Sequence, residues 1–220
     1  AYRIERLAAG NFHPAPATGP RVRDLALART VASAPTDAVQ LVANDGFGGL
    51  PSLGNRVDFP GLLPDSLTLL PGAANGIDAL AFCRDDSSIG SWRNDPNGPV
   101  VQTPDAVSTP VRAAVVDPVL QASALTDDSR VQRGDVDGDG IDDLVLLMRF
   151  VLGMPNEGQA AIALMRGKSA PAVGEFPFHV PTTVMMVHGN TSAIALGDFT
   201  RGGPGEAVRL ELAVAVPQGS

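Results

Sequence analysis

Four aspartates surround one short, glycine-containing stretch in the middle of the chain. The stretch reads GDVDGDGIDDLVLL over residues 134–147, and its candidate ligands are the side chains of Asp135, Asp137, Asp139 and Asp143 with the carbonyl of Ile141. Numbered from the first aspartate, the four side chains occupy positions 1, 3, 5 and 9 of a tight loop, and the carbonyl occupies position 7. Such oxygen ligands can converge on one cation, and a highly charged oxygen set favours Ca²⁺ over zinc or copper. Gly138 and Gly140 supply the backbone freedom that the loop needs.

Other interpretations of this stretch remain open. An EF-hand requires a bidentate Glu at position 12, where this chain has Leu146. A dockerin module also has a calcium loop followed by an apolar helix, and the apolar stretch 146–153 fits that pattern, but the second copy and the acid at position 12 are missing. A solvated acidic turn is the simplest alternative. Arg133, Gly134 and Asp135 spell an adhesion tripeptide, although Asp135 is already committed to the cation.

The other reactive residue types give no catalytic pattern. The single cysteine, Cys83, excludes a disulfide within the chain and is expected to be a small buried hydrophobe. The three histidines have no zinc-site spacing, and the acid pairs at 85–86 and 127–128 are typical of solvated turns. Trp92 is expected to pack, with stacking on a sugar as the alternative. We therefore expect a protein that is not an enzyme.

Composition limits the remaining function classes. The chain has 220 residues, 24 Gly, 19 Pro and a formal net charge of −8. Many turns and few long helices are expected, and the acidic balance argues against nucleic-acid binding. No apolar stretch approaches the roughly 18 residues of a membrane span. The first residue is Ala1 and no signal peptide follows it, so we expect a processed or trimmed end.

Weaker copies of the loop and the strand after it recur along the chain. Their equivalent apolar positions, at intervals of 55, 64 and 63 residues, are Leu25, Leu80, Leu144 and Ala207. Each unit contains short apolar segments ending in glycine-rich turns, such as residues 39–49, and a more polar fourth segment, such as Phe176–Val180. The predicted units are 1–62, 63–125, 126–190 and a partial 191–220. The predicted fold is all-β, with about three and a half propeller-type blades of antiparallel four-stranded sheets. Such an arc is incomplete or is completed by another chain.

The loop over residues 134–144 resembles the calcium loop of FG-GAP/VCBS repeats, which build integrin α-subunit propellers and many secreted bacterial proteins. The turn over residues 44–50 is similar to the glycine-rich turn of these repeats. The resemblance implies a bladed β-propeller with Ca²⁺ bound by Asp135, Asp137, Asp139, Asp143 and the Ile141 carbonyl. The other three loops depart from the pattern. The fourth keeps two acids, Asp198 and Glu206, the second keeps none, and the first keeps Asn11 and Asp24 around a lengthened stretch.

These expectations lead to one main hypothesis for function. The chain is predicted to be a non-catalytic, calcium-binding scaffold for protein interaction or structural support, with a protein partner or the rest of a larger assembly. The resemblance implies an extracellular or periplasmic location. The alternatives are an accessory propeller of a secreted enzyme and a carbohydrate-binding module that recognises a glycan. The stretches 84–130 and 13–23 are the expected recognition loops, because long loops on a rigid scaffold carry specificity.

Overall fold

The fold is known from a computed structural model of the whole chain. It describes residues 2–13, 23–31, 38–44, 53–71, 76–94, 106–107, 129–150, 159–171, 175–181, 183–188, 191–197, 199 and 210–216. The chain divides into two compact units, the first comprising Ala1–Asp85 with Ile89–Val107 and the second Asp86–Ser88 with Ser108–Ser220.

The first unit contains two four-stranded antiparallel sheets in which neighbouring strands follow one another in sequence. The strands of the first sheet are β1 (Tyr2–Gly10), β2 (Asp24–Val31), β3 (Ala38–Val42) and β4 (Leu53–Asp58). Those of the second sheet are β5 (Thr68–Leu70), β6 (Ala79–Cys83), β7 (Ile89–Arg93) and β8 (Ala106–Val107). One turn of 3-10 helix, Pro64–Ser66, connects the two sheets.

The two sheets of the first unit share an apolar core. The alternating residues Ala26 and Ala28 of β2 face this core, as do Leu80 and Phe82 of β6. Four aromatic side chains fill the core, and the ring of Phe59 lies 4.9 Å from that of Phe82 and 5.7 Å from that of Trp92. Small side chains on one sheet opposite large rings on the other allow the layers to interdigitate. The central strands β3 and β6 are buried along their whole length.

The second unit repeats the same sheet design. Its four-stranded sheet contains β9 (Arg130–Gly134), β10 (Asp143–Arg149), β11 (Gln159–Met165) and β12 (Thr183–His188). Its other sheet is the hairpin of β13 (Ala193–Gly197) and β14 (Glu211–Ala215). Val145 and Leu147 of β10 pack with Ile162 of β11 and Ile194 of β13 in one cluster. The loop between β9 and β10 therefore projects from a strand pair that is held by buried apolar side chains.

The predicted all-β class with antiparallel sheets is confirmed. No closed barrel or propeller is detected among the described residues, and the arrangement of the sheets as blades stays a prediction. The four sheets fall one each within the ranges 1–62, 63–125, 126–190 and 191–220. The identity of these ranges as repeats also stays a prediction.

One local prediction is wrong, and one alternative interpretation is excluded. Phe176–Val180 is not the fourth strand of its sheet, which is β12. Pro177 and Pro181 lack the backbone donors that a ladder needs, and the segment forms only an isolated bridge between Phe178 and Gly167. The helix considered after the acidic loop is a strand, β10, as far as Arg149. The EF-hand and dockerin alternatives, which need a helix there, are therefore excluded.

Several predictions fall on residues outside the described part of the chain. They concern the turn beyond Asn44, the stretch 14–22, most of the recognition loop 84–130, and the acids Asp198 and Glu206 of the fourth loop. Within the described residues, no helix has both the length and the apolar character required to cross a membrane.

Candidate metal centre

The acidic loop connects the ends of two hydrogen-bonded strands. Gly134, the last residue of β9, pairs directly with Asp143, the first residue of β10. β10 is buried from its first residue and β9 is partly buried, whereas residues 137–140 at the loop tip are exposed. The loop is therefore an open, polar turn on a rigid base, which is a favourable position for an ion-binding site.

Three of the predicted carboxylates come together in this loop. One oxygen each from Asp135, Asp137 and Asp143 lies within 4.8 Å of the other two. Three carboxylates at this separation repel one another unless a cation or proton lies between them. Because the ligand atoms are all hard oxygens, the cluster suits Ca²⁺ or Mg²⁺ better than a transition metal.

The backbone wraps around the carboxylate of Asp135. Its Oδ1 accepts hydrogen bonds from the amides of Gly138, at 2.7 Å, and Asp139, at 3.1 Å. Its Oδ2 accepts one from Gly140 at 2.9 Å. Gly138 and Gly140 have φ values of 81° and 87°, a region that residues with a side chain rarely enter. The two glycines therefore allow the tight curvature that the sequence pattern predicts.

The other two predicted ligands lie in the same loop. Asp139 is not part of the group of three, and its carboxylate accepts a hydrogen bond from the amide of Ile141 at 2.8 Å. The predicted role of the Ile141 carbonyl stays a prediction. The structure thus brings Asp135, Asp137 and Asp143 together, while Asp139 helps to shape the turn.

Asp143 differs from the other acids because it is almost fully buried, with 1% of its surface exposed. Its Oδ2 accepts a hydrogen bond from the amide of Val136 at 3.0 Å. Its Oδ1 accepts one from the amide of Gly167, two residues after β11, at 2.9 Å. A single carboxylate therefore fixes both the start of the acidic loop and the turn that follows the third strand.

Gly167 contacts the candidate site at a position that the sequence did not identify. A methyl group there would overlap the backbone oxygen of Asp142 and lie 2.5 Å from Cγ2 of Ile141. The turn after β11 can approach the acidic loop only because this residue has no side chain. In the sequence, Gly167 is recognisable only as part of the Arg-Gly turn after an apolar strand. That pattern indicates that the chain reverses direction, but it does not indicate close packing against another loop.

Two arginines flank the loop. Nε of Arg166 lies 3.4 Å from Oδ2 of Asp137, and Nη1 of Arg133 lies 3.4 Å from Oδ2 of Asp142. Arg166 is 58% exposed in its side chain, so solvent screens this ion pair strongly. One guanidinium beside three clustered carboxylates leaves an excess of negative charge, which attracts a divalent cation.

The remaining candidate residues have structural roles. Trp92 is 3% exposed and packs edge-on against Phe59, so the predicted packing role is confirmed and its ring has no free face for a sugar.

Cys83 is fully buried, as predicted. Burial raises the pKa of its thiol to about 12, and a side-chain hydrogen bond with Ser66 opposes the shift. Asp86 accepts hydrogen bonds from the amide and hydroxyl of Ser88 within a turn.

No protein-family model matches this chain, and no curated protein matches it either. The chemistry of the acidic loop therefore has to be argued from its own residues. These residues form a compact oxygen-ligand cluster with a buried anchor, Asp143, and two left-handed glycines.

Proposed function

We propose that this chain is a segment of a calcium-stabilised β-propeller of the FG-GAP/VCBS type, and that it acts as a non-catalytic scaffold. Three of its sheets have four antiparallel strands in sequential order, which is the strand number and order of a propeller blade. In each unit, side chains from two sheets contribute to one apolar core, as in consecutive blades. The hairpin β13–β14 has the strand content of half a blade.

The observation that carries the proposal is the group formed by Asp135, Asp137 and Asp143. It lies between the first and second strands of a four-stranded sheet, where the FG-GAP/VCBS resemblance puts the ion. The buried Asp143 links the loop to the turn after the third strand. A bound ion would therefore fix the connections among three strands, and its binding energy would become folding energy.

The role of calcium in this proposal is structural. Extracellular calcium modules bind with dissociation constants of about 10⁻⁴–10⁻³ M. Such weak sites fill only where calcium is abundant, which fits a location outside the cytoplasm. At a ligand concentration 100 times the dissociation constant, binding stabilises the folded state by about 2.7 kcal/mol.

The chemistry of the single cysteine disfavours thiol-based catalysis. The one thiol is an unsuitable nucleophile, because the pKa of Cys83 is raised to about 12 and the thiolate is the reactive form. The partner is proposed to be another protein or the remainder of a larger assembly. Two sheets that share one apolar core in each unit provide the rigid base that such a scaffold requires.

The test is a thermal melt of the full chain in 10 mM CaCl₂ and in EGTA, with Asp137→Asn as the variant. For a chain of this size and a dissociation constant of about 10⁻⁴–10⁻³ M, 10 mM calcium stabilises the folded state by about 1.4–2.7 kcal/mol, which corresponds to a rise in Tm of about 3–11 °C. We expect this rise for the parent chain and its loss in the variant. Asp137 is the best choice because it accepts fewer backbone hydrogen bonds than Asp135 and is far less buried than Asp143.

The matched control is Asp85→Asn, which makes the same charge change at an exposed acid of the first unit. It should keep the full calcium-dependent rise in Tm. A parent chain whose Tm is the same in calcium and in EGTA would overturn the proposal. A rise that persists unchanged in Asp137→Asn would locate the calcium effect elsewhere and remove the support that this loop provides.

A further inference from the structure

The first unit contains a turn with the same construction as the acidic loop. Gly10 ends β1 and pairs with Asp24 at the start of β2, just as Gly134 ends β9 and pairs with Asp143. Asp24 is 5% exposed and Asp143 is 1% exposed. Register and burial therefore identify Asp24 as the counterpart of Asp143, although the loop before Asp24 is longer.

The hydrogen bonds of the two buried carboxylates also correspond. The residue two positions after each glycine donates its amide to the Oδ2 atom, Phe12 at 3.1 Å and Val136 at 3.0 Å. The residue two positions after the third strand donates its amide to the Oδ1 atom, Asn44 at 3.0 Å and Gly167 at 2.9 Å. Each carboxylate thus joins the same two connections of its own sheet.

The two turns differ at the positions that supply the other carboxylates. Counting from the paired glycine, Asn11 corresponds to Asp135, and His13 corresponds to Asp137. The first turn therefore lacks two negative charges and gains an imidazole. Nδ1 of His13 lies 3.0 Å from Oδ2 of Asp24, and it must carry the proton there because a carboxylate only accepts hydrogen bonds.

Protein groups also hold the rest of the first turn. The amide of His13 donates to Oδ2 of Asp24 at 3.1 Å. Asn11 and Asp78 exchange two hydrogen bonds of 2.8 Å, one from each backbone amide. The carbonyl of Phe12 accepts a hydrogen bond of 2.8 Å from the side chain of Asn94. The phenyl ring of Phe12 is 1% exposed and belongs to the core of the unit.

We propose that His13 takes the place of a metal ion in the first turn, so that the His13–Asp24 contact holds this turn without calcium. The first turn then adds nothing to the calcium response that is proposed for the β9–β10 loop. This second statement rests on the proposed calcium function, whereas the role of His13 does not. A charged or strongly polar donor beside a buried carboxylate supplies locally what a cation supplies at the acidic loop.

The test measures amide hydrogen exchange by NMR on the full chain, in calcium and in EGTA. The reporters are Phe12 and Asn44 for the first turn, and Val136 and Gly167 for the acidic loop. In the parent chain, EGTA should accelerate exchange at Val136 and Gly167 about tenfold or more. Exchange at Phe12 and Asn44 should stay unchanged. Acceleration of all four reporters by EGTA would overturn the proposal, because the first turn would then also depend on calcium.

Variants at His13 test its role separately. His13→Ala should accelerate exchange at Phe12 and Asn44 about tenfold or more, in calcium and in EGTA alike. His13→Asn should keep the slow rates, because its amide nitrogen can donate from nearly the same place as Nδ1. His179→Ala, which removes an exposed imidazole, is the control and should change none of the four rates.

The outcomes distinguish the two proposals. If EGTA leaves Val136 and Gly167 unchanged in the parent chain, the calcium function fails, and the His13 variants still decide the first turn. If His13→Ala exchanges as slowly as the parent chain at Phe12 and Asn44, the proposed role of His13 is wrong. If His13→Ala does not fold, His13→Leu, which fills the space of the ring without a donor, decides: rates about tenfold faster at Phe12 and Asn44 support the role, and parent-like rates refute it.

Discussion

Substitution of Gly167 by alanine is the most direct perturbation of the contact between the acidic loop and the turn after β11. The added methyl group would lie 2.5 Å from Cγ2 of Ile141 and would also overlap the backbone oxygen of Asp142. Carbon atoms normally approach to about 3.5–4.0 Å, so the turn must move by about 1 Å to relieve the overlap. The backbone oxygen is part of the loop and cannot rotate away as a side chain would.

The cost follows from the hydrogen bond that this movement breaks. The amide of Gly167 donates to Oδ1 of Asp143 at 2.9 Å, and a displacement of about 1 Å takes the pair out of hydrogen-bonding range. Loss of a hydrogen bond to a charged acceptor costs about 1.5–3 kcal/mol. For a chain of this length, Tm should fall by about 3–12 °C.

The assay is a thermal melt followed by circular dichroism in EGTA, with a repeat in calcium. Ser169→Ala is the control, since Ser169 is exposed two residues further along the same turn. It should melt within about 2 °C of the parent chain. We also expect Gly167→Ala to reduce the calcium-dependent rise in Tm, because the displaced Asp142 adjoins Asp143. A Gly167→Ala chain that melts with the control in both solutions would refute this account of the site.

Three further predictions concern the core of the first unit. The thiol of Cys83 should resist iodoacetamide at pH 8 and react only as the chain unfolds, because its pKa is raised to about 12 in the fold from an ordinary 9.0; rapid alkylation of the native chain would contradict this. Because the pKa is raised on folding, the stabilisation from the neutral, buried thiol is fully present below pH 9. The free energy of unfolding measured with urea should therefore fall as the pH rises from 9 towards 12. Trp92→Ala should lower the free energy of unfolding by about 3–5 kcal/mol by leaving a cavity, whereas unchanged stability with loss of binding on a glycan array would instead establish the sugar-stacking alternative.

The central strands were the most predictable part of the fold. Stretches such as residues 79–83 and 143–149 are short and largely apolar, and both are buried strands. Their side chains are covered on both faces, so a continuous apolar run needs no alternation to specify a strand. The same feature explains the uncertainty after the acidic loop, because a short apolar run also fits a helix.

The outer strand of the second unit shows where sequence patterns fail. Phe176 and Phe178 alternate with other residues as in a strand, and both are buried with their rings 5.6 Å apart. The neighbouring prolines prevent the regular ladder, and the strand forms further along, at β12. Met185 and Met186 of β12 are adjacent, and both are about half exposed, at 49% and 46%. An edge strand with exposed residues on both faces has no burial pattern for the sequence to reveal.

The candidate site was predictable in composition but not in its connections. The spacing of the acids indicated the ligand type and the loop. It contained no information about Gly167, which lies 24 residues beyond Asp143 and meets it only through the pairing of β10 with β11. The spacing did identify Asp24 at the end of the lengthened first loop, but it did not reveal that this carboxylate accepts the amides of Phe12 and Asn44.

The comparison of Asp24 with Asp143 separates two tasks of the buried carboxylate. Asp24 accepts the corresponding pair of backbone amides in a turn that has no neighbouring acids at the positions of Asp135 and Asp137. Accepting those two amides therefore stabilises the fold itself. It links the loop between the first and second strands of a sheet to the turn after the third strand. A buried carboxylate has more lone pairs than two amides can use, and the remaining capacity can accept a further hydrogen bond or bind a cation. The partner at Asp24 is the imidazole of His13, and at Asp143 the adjacent carboxylates make a cation the partner that fits.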